Sequence, residues 1–210
     1  MIKTNIKRQF PHHLKIGCVQ RLCLWCINHI KKGYCISKHN IYVTDYTKQT
    51  ENKRTVEVFT KNPPKDICYF TLVNDKQIRT RAIIFNKYSF VKPKGGSRTQ
   101  CECVIFPENS NSNSWILFLE LKYSDSPNNN RSNLQSAIRQ LYKTRTYYYQ
   151  ANIFQKSNTC YLLAALPKQP EPFPNFVIPP SKLTNIKKKH NVVLRLQNSA
   201  SIEDNSTIIV

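Results

Sequence analysis

The sequence is poor in glycine and in acidic residues. It has four glycines, and their one cluster, Gly95-Gly96, matches neither a P-loop nor a dinucleotide-binding fingerprint. The sequence therefore argues against phosphate binding by a glycine-rich loop. Only 12 Asp and Glu stand against 32 Lys and Arg, which gives a formal net charge of +20. Because this imbalance favours the capture of polyanions, nucleic acid is the predicted partner.

Long hydrophobic runs are also missing. No apolar stretch approaches the roughly 20 residues that a membrane-spanning helix needs. Residues 1–8 are not followed by the hydrophobic segment of a signal peptide. We therefore expect no membrane partner and a cytoplasmic location. At 210 residues and 40% hydrophobic composition, the chain is expected to form a single globular domain over residues 1–210.

Eight cysteines are present, but the chain is larger than the small secreted domains that depend on disulfides, so we interpret them as thiols. Cys23 and Cys26 form one Cys-x-x-Cys pair. Other potential zinc ligands lie nearby in the sequence: Cys18, His29, Cys35 and His39. Zinc sites usually combine two such pairs, and buried thiols on one helical face explain the pattern as well. Zinc is therefore not expected, although a zinc-stabilised interaction protein stays open as an alternative.

Hydrophobic periodicity predicts the elements of the N-terminal half. Apolar residues at intervals of three and four predict a helix over residues 13–32. β-like runs follow at residues 41–44, 55–59, 67–73 and 78–85. The last two runs are joined by a polar connection of four residues, so they are predicted to pair as a hairpin.

The C-terminal half predicts a strand, a helix and a strand in succession. Ser132 opens a capping box with Gln135, which predicts a helix to about residue 150. Residues 159–166 form a continuous apolar run, typical of a strand covered on both faces. This order predicts a right-handed parallel crossover. One more β-like run occupies residues 192–196, and the last dozen residues are predicted to be frayed.

The most apolar run of the chain, residues 115–123, contains the Glu-x-Lys pair Glu120 and Lys122. A polar, turn-rich spacer separates it from residues 100–106, and the two segments are predicted to form a β-hairpin. In a symmetric hairpin, residues whose numbers sum to 222 face one another, which places Glu102 opposite Glu120. Lys122 lies on the same face because side chains alternate along a strand.

Three charged groups on one face suit hydrolysis of a phosphodiester. A carboxylate in a hydrophobic strand is costly to desolvate unless it is paired or binds a cation. Two carboxylates can hold Mg²⁺ or Mn²⁺, which lowers the pKa of bound water, and a lysine can orient that water. The simpler alternative is a surface ion pair between Glu120 and Lys122, worth at most about 1 kcal/mol. Apolar residues on both faces of the run favour a buried strand and therefore the site.

The order of these motifs resembles the PD-(D/E)xK nuclease superfamily, which has the restriction-endonuclease-like fold. That order is a helix, a hairpin with an acid on one strand and Glu-x-Lys on the other, a helix containing a glutamine, and an apolar strand. The resemblance covers about residues 78–166, with residues 12–32 as the leading helix and residues 167–210 as a basic extension. It implies an α/β fold with a central mixed sheet flanked by helices, and a Mg²⁺-dependent endonuclease.

The resemblance also implies roles for individual residues. Glu102 and Glu120 would ligate Mg²⁺, and Lys122 would assist the attacking water. Gln140 corresponds to a glutamine that many members place near the site, with Tyr147 and Tyr148 as lesser candidates.

Two acidic positions bear on this assignment. The family usually has Asp where this chain has Glu102, and the longer side chain moves a metal by about one methylene unless the backbone retreats. Some members use an additional upstream acid, for which Glu57 is the candidate. A lone glutamate between valines in an edge strand is more often exposed.

Several basic residues are predicted to contact nucleic acid, with DNA expected before RNA. They lie in a loop at residues 92–98, on the helix that carries the glutamine and in the tail: Lys92, Lys94, Arg98, Arg139, Lys143, Lys187 and Lys188. The loop and tail positions are favoured because they are loop-like and cationic. Residues 142–149 mix aromatic and basic side chains that could stack bases, but a helix with tyrosines at the core margin explains them equally well.

The predicted class is thus a basic endonuclease, by fold analogy a component of restriction, defence or repair. The alternative is a nucleic-acid-binding module that kept the scaffold but lost activity. The presence of Glu102 where the family usually has Asp favours this alternative. The sequence leaves strandedness and oligomeric state open, including a homodimer.

Overall fold

The fold contains two mixed β-sheets and, in the part of the chain that the structure describes, three α-helices. A computed structural model describes residues 1–14, 34–49, 56–61 and 63–210. The helices are α1 (Ile2–Gln9), α2 (Asn130–Gln150) and α3 (Pro180–His190). The strands are β1 (Tyr34–Ser37), β2 (Ile41–Asp45), β3 (Val56–Phe59), β4 (Phe70–Val73), β5 (Thr80–Ile84), β6 (Cys103–Pro107), β7 (Ile116–Leu121), β8 (Cys160–Ala165), β9 (Val192–Leu196), β10 (Ser199–Ile202) and β11 (Ile208–Ile209).

The larger sheet has the strand order β1-β5-β6-β7-β8-β9. Its first four strands are antiparallel neighbours, whereas β7, β8 and β9 run parallel. In the hairpin of β6 and β7, Cys103 faces Leu119 and Ile105 faces Leu117, so the predicted register, in which residue numbers sum to 222, is confirmed for these pairs. The ladder does not extend to the predicted pair of Glu102 and Glu120. The parallel connection through α2, from β7 to β8, is confirmed as well.

The larger sheet is the middle layer of three. Phe118 and Leu162, on one face, pack in a hydrophobic cluster with α1, α2 and α3. Leu117 and Leu163, on the other face, pack in a second cluster with side chains of the smaller sheet. The prediction that the Glu-x-Lys strand is buried on both faces is therefore confirmed, and every residue of β7 is buried.

The smaller sheet has the strand order β11-β10-β4-β2-β3, and it corrects one prediction. Residues 67–73 and 78–85 do not pair as a hairpin, because β4 belongs to the smaller sheet and β5 to the larger one. The connection is a turn in which the Asn74 side chain bonds the backbone N–H and C=O of Ile78. This turn carries the chain from one layer to the next, and both strands bury apolar side chains between the layers.

The C-terminal residues are strands rather than a frayed end. Strand β10 pairs with β4, and β11 pairs with β10. Ile202 and Ile208 are buried, and the Trp115 indole N–H donates to the Asp204 carbonyl at 2.9 Å. The prediction failed because the segment is short and polar, and its partners are distant in sequence.

The helices also differ in part from the predictions. α2 begins at Asn130, and the Ser132 hydroxyl donates to the Asn129 carbonyl, so the predicted capping box does not begin the helix. α3 was not predicted, and Lys187 and Lys188 lie in its last turn rather than in a loop. The helix predicted over residues 13–32 lies outside the described residues, except for its first two positions, which belong to a 3₁₀ turn. None of the described helices is long and apolar enough to cross a membrane.

A buried ion cluster ties α1 to the larger sheet. Arg81 of β5 donates to both carboxylate oxygens of Glu108, at 2.6 and 3.0 Å, and Lys3 of α1 pairs with the same carboxylate. Burial alone would raise the pKa of Glu108, but the hydrogen bonds and charges of Arg81 and Lys3 outweigh burial and lower it from 4.5 to about 2.

We expect Glu108 to make stability depend on pH. Because its folded pKa lies below its unfolded pKa, its contribution is complete above about pH 4.5 and is lost as the pH falls towards 2. Glu108→Ala should lower the unfolding free energy at pH 7 by about 3 kcal/mol, since it leaves the buried Arg81 unpaired. Denaturant unfolding between pH 2.5 and 7 measures both effects. Asp125→Asn, at an exposed ion pair, is the control and should change stability by less than about 1 kcal/mol.

Adjacent isoleucines test the C-terminal strand. Ile208 is 3% exposed and Ile209 is 57% exposed. Ile208→Ala should destabilise the protein by about 2 kcal/mol or more, whereas Ile209→Ala should cost no more than about 0.5 kcal/mol. Equal and negligible losses for the two variants in denaturant unfolding would show that the end of the chain is frayed after all.

Candidate active site

Glu120 and Lys122 lie at the C-terminal end of β7. Along the strand, Ile116 and Phe118 face α2, and the alternation places Glu120 on the same face. Glu120 is fully buried, whereas the side chain of Lys122 is 23% exposed. The backbone N–H of Lys122 still donates to the Ala165 carbonyl, so the strand pairing holds Lys122 in place. The pair thus extends from the core to the rim of the sheet.

Lys122 connects Glu120 to Gln140 of α2. Its ammonium donates to Glu120 Oε1 at 2.6 Å and to Gln140 Oε1 at 2.8 Å. Gln140 lies next to Leu141, at the margin of the buried stripe of α2, as the sequence predicted. Its amide Nε2 donates to the Gln100 carbonyl at 2.9 Å, which fixes the orientation of the side chain. We call Glu120, Lys122 and Gln140 the acid–lysine cluster.

The second carboxylate oxygen of Glu120 has no hydrogen-bond partner among the described residues. Burial raises the pKa of Glu120 to about 7, against the opposing effects of Lys122 and of the Glu102 backbone. A buried carboxylate oxygen without a donor is costly, and a bound cation would remove that cost. The free oxygen of Glu120 is therefore a position where a proton or a cation would be stabilised.

Glu102 directly precedes β6, in a distorted part of the hairpin, and it does not form the predicted regular pair with Glu120. The N–H of Glu102 donates to the Leu119 carbonyl, while Cys103 is already the partner of Leu119 in the ladder. Two residues thus oppose one, which is the pattern of a β-bulge. Cys101 accordingly packs towards α2, whereas Cys103 packs towards the smaller sheet.

The charge of Glu102 affects Tyr123, which lies just beyond the C-terminal end of β7. Together with Asp45, it opposes ionisation of Tyr123, whose pKa is raised mainly by burial. The Tyr123 hydroxyl forms hydrogen bonds with Thr44 Oγ1 at 3.2 Å and with the Asp45 N–H at 3.0 Å. Glu102 is half-buried there, next to the strand that carries Glu120.

Asp45 is an acidic residue near the site that the sequence reasoning missed. It ends β2, is 7% exposed, and its charge raises the pKa of Glu120. Glu57 was the predicted upstream acid, with exposure as its alternative; it is 8% exposed in the edge strand β3, so the expectation of exposure is wrong. The one feature of the sequence that pointed to Asp45 is its position directly after the short β-like run at residues 41–44.

The predicted basic residues fall into two groups. Lys92, Lys94 and Arg98 belong to the connection from β5 to β6, which lies at the same end of the sheet as Glu120, because Ile84 pairs with Cys103 and Cys103 with Leu119. Arg139 and Lys143 are exposed on α2 on either side of Gln140.

Lys187 and Lys188 lie at the opposite end of the sheet. α3 ends directly before β9, and Val192 of β9 pairs with Cys160, which pairs with Ile116 at the start of β7. The length of β7, about 17 Å, therefore separates them from the acid–lysine cluster. The structure does not bring these two lysines into the candidate site.

The tyrosines of α2 are mostly part of the core. Tyr148 is fully buried, with its hydroxyl bonded to His13 Nδ1 at 3.0 Å, and Tyr142 and Tyr147 pack at the core margin. The alternative of tyrosines at the core margin therefore describes Tyr142 and Tyr147, whereas Tyr148 lies inside the core. Tyr148 is not accessible to a substrate.

Potential metal ligands are few around the cluster. Among the residues that the structure describes, no group of three or more His, Cys, Asp or Glu side chains is placed to hold a metal ion. Cys18, Cys23, Cys26 and His29, which suggested zinc, lie outside those residues. The described cysteines are free thiols, as predicted: Cys35, Cys68, Cys101, Cys103 and Cys160.

Comparison with protein-family models, with curated proteins and with solved structures finds no match for this chain.

Proposed function

We propose that the protein is a Mg²⁺-dependent endonuclease that hydrolyses phosphodiester bonds, with DNA as its first expected substrate and RNA as the second. The observation that carries the proposal is the buried Glu120 carboxylate. Lys122 holds one of its oxygens, and the other has no partner among the described residues. This group lies at the end of the sheet that also bears Lys92, Lys94 and Arg98.

The arrangement of strands supports the resemblance to the PD-(D/E)xK superfamily. β5, β6 and β7 are successive antiparallel strands, and α2 then leads to the parallel strand β8. Glu102 directly precedes the second strand, the Glu-x-Lys pair lies at the end of the third and Gln140 on the helix. This is the order of elements and motifs that the resemblance implies.

The chain's own residues have distinct roles in this proposal. Glu120 and Glu102 would hold the Mg²⁺ ion, and the remaining positions suit water because Mg²⁺ keeps several waters in protein sites. When bound, such an ion lowers the pKa of water and offsets the charge of the phosphate. Lys122 places a positive charge at the rim, where its ammonium can donate to a phosphate oxygen. Gln140 keeps that ammonium beside Glu120.

The first test is cleavage of supercoiled plasmid DNA with Mg²⁺ or Mn²⁺. Glu120→Gln removes the carboxylate and should lower the cleavage rate by about 100-fold or more, while DNA binding in EDTA is retained. Lys122→Ala should have a similar effect. Asp125→Asn, an exposed acid close in sequence, is the control and should cut at the wild-type rate. Wild-type cleavage by Glu120→Gln would contradict the assigned site.

A nucleic-acid-binding protein without cleavage is the second candidate. The observation that favours it is that Lys122 already pairs with the buried Glu120 carboxylate, at 2.6 Å. Lys122 would then only neutralise Glu120. Salt-dependent DNA binding by a wild-type protein that cuts with neither metal would establish this candidate.

Gln140 provides a second test of the site. Gln140→Ala removes the acceptor that positions Lys122, and misplacement by about 1 Å can cost about 100-fold, so the single-turnover cleavage rate at saturating DNA should fall by 10-fold to 100-fold. Gln135→Ala, on the exposed face of the same helix, should leave that rate unchanged. Thermal unfolding of both variants checks that α2 is intact. Equal rates for the two variants would remove Gln140 from the site.

A further inference from the structure

The connection between β5 and β6 is strongly basic, and we call its residues 86–100 the basic loop. It joins the C-terminal end of β5 to the N-terminal end of β6, which is the end of the sheet where Glu120 lies. It contains four cations and no acid: Lys87, Lys92, Lys94 and Arg98. A polyanion that approaches Glu120 therefore meets this loop.

The base of the basic loop is fixed by the core. Phe90 is buried among aromatic side chains, and the Ser89 carbonyl accepts a hydrogen bond from His13 Nε2 at 2.9 Å. Burial lowers the pKa of His13 to about 4, so its ring is neutral at pH 7. Nε2 then carries the proton, and Nδ1 accepts from the Tyr148 hydroxyl. The loop thus has an anchored shape from which its exposed side chains project.

Tyr88 is an exposed aromatic residue on this loop. Tyr88 is 66% exposed, and the Lys87 ammonium lies 5.0 Å from the centre of its ring. The Tyr88 N–H donates to Asn86 Oδ1 at 2.9 Å, which fixes the backbone in a turn. Unlike Tyr142, Tyr147 and Tyr148 of α2, Tyr88 does not belong to the hydrophobic clusters formed by the described residues.

The basic loop is joined to the acid–lysine cluster by hydrogen bonds. Gln140 accepts from Lys122 and donates to the Gln100 carbonyl, and Gln100 Nε2 donates to the Asn86 carbonyl at 2.7 Å. Asn86 and Gln100 are the two ends of the loop. The side chain that positions Lys122 therefore also sets the position of the loop.

We propose that the basic loop binds unpaired nucleotides of the substrate, with the Tyr88 ring stacked on a base and Lys87 and Lys92 against the flanking phosphates. This inference rests on the proposed function and narrows its substrate class to single-stranded DNA or DNA with an unpaired segment. The face of a base inside a duplex is covered by its neighbours, so a protein ring reaches it only where the bases are unstacked.

The test measures the affinity of the protein for fluorescein-labelled DNA in EDTA. A single-stranded oligonucleotide is compared with a blunt duplex of the same length, at the same salt concentration. Tyr88→Ala should weaken single-strand binding by about tenfold, because stacking of one base contributes about that factor. It should change duplex binding by less than about twofold. Tyr88→Trp should keep single-strand binding, because it restores an aromatic face.

Tyr149→Ala is the matched control. Tyr149 is also exposed and also has a cation over its ring, Arg145 at 5.3 Å, but it lies about 13 Å along α2 from Gln140. This variant should bind both DNAs as the wild type does. Equal weakening of both DNAs by Tyr88→Ala, no weakening at all, or no single-strand binding by the wild type would each overturn the inference.

The use of EDTA separates this inference from the nuclease proposal. If Tyr88→Ala weakens only single-strand binding but the protein never cuts with Mg²⁺ or Mn²⁺, the binding surface stands and the nuclease proposal fails. If the protein cuts and Tyr88→Ala has no effect on binding, the nuclease proposal stands and the stacking role of Tyr88 is wrong.

Discussion

The burial of the Glu120 carboxylate is the interaction on which the candidate site depends. β7 is covered by helices on one face and by the smaller sheet on the other, so its side chains are removed from water. A carboxylate in this position is costly to ionise, and burial accordingly raises its pKa to about 7. Lys122 compensates for part of that cost because it reaches back from the rim of the sheet. The position of Lys122 also depends on α2, because Gln140 accepts a hydrogen bond from its ammonium.

The three-layer architecture limits where a substrate can reach this pair. The described residues cover both faces of the larger sheet, and within them the cluster reaches the surface at the C-terminal end of β7, through the partly exposed Lys122. The basic loop joins β5 to β6 at this end, and Arg139 and Lys143 flank Gln140 on α2. Positive charge is therefore concentrated where a phosphate would have to enter, while Lys187 and Lys188 lie at the other end of the sheet.

Local pattern predicted the hairpin and its partner helix, but not the contacts between layers. The register of β6 and β7 followed from a symmetric spacer, whereas the role of Gln140 was implied only by the resemblance to a nuclease family. β4 and β5 were expected to pair because periodicity does not show which sheet a strand joins. Asp45 and Tyr88 were missed for a related reason, since their positions relative to Glu120 depend on a second sheet and on a turn. The C-terminal strands likewise depend on β4, more than a hundred residues away.

The bulge at Glu102 bears on the proposed resemblance to PD-(D/E)xK nucleases, which usually have Asp at the corresponding position. In a regular ladder, the extra methylene of glutamate would carry its carboxylate past the position that aspartate occupies. A bulge adds a residue on this strand opposite Leu119 and changes the direction in which the side chain leaves the backbone. In the proposed site, the length of the Glu102 side chain and the bulge in its backbone therefore together determine the position of the carboxylate. Glu102→Asp would shorten the side chain by one methylene without removing the bulge, so this substitution separates the effect of side-chain length from the effect of the backbone.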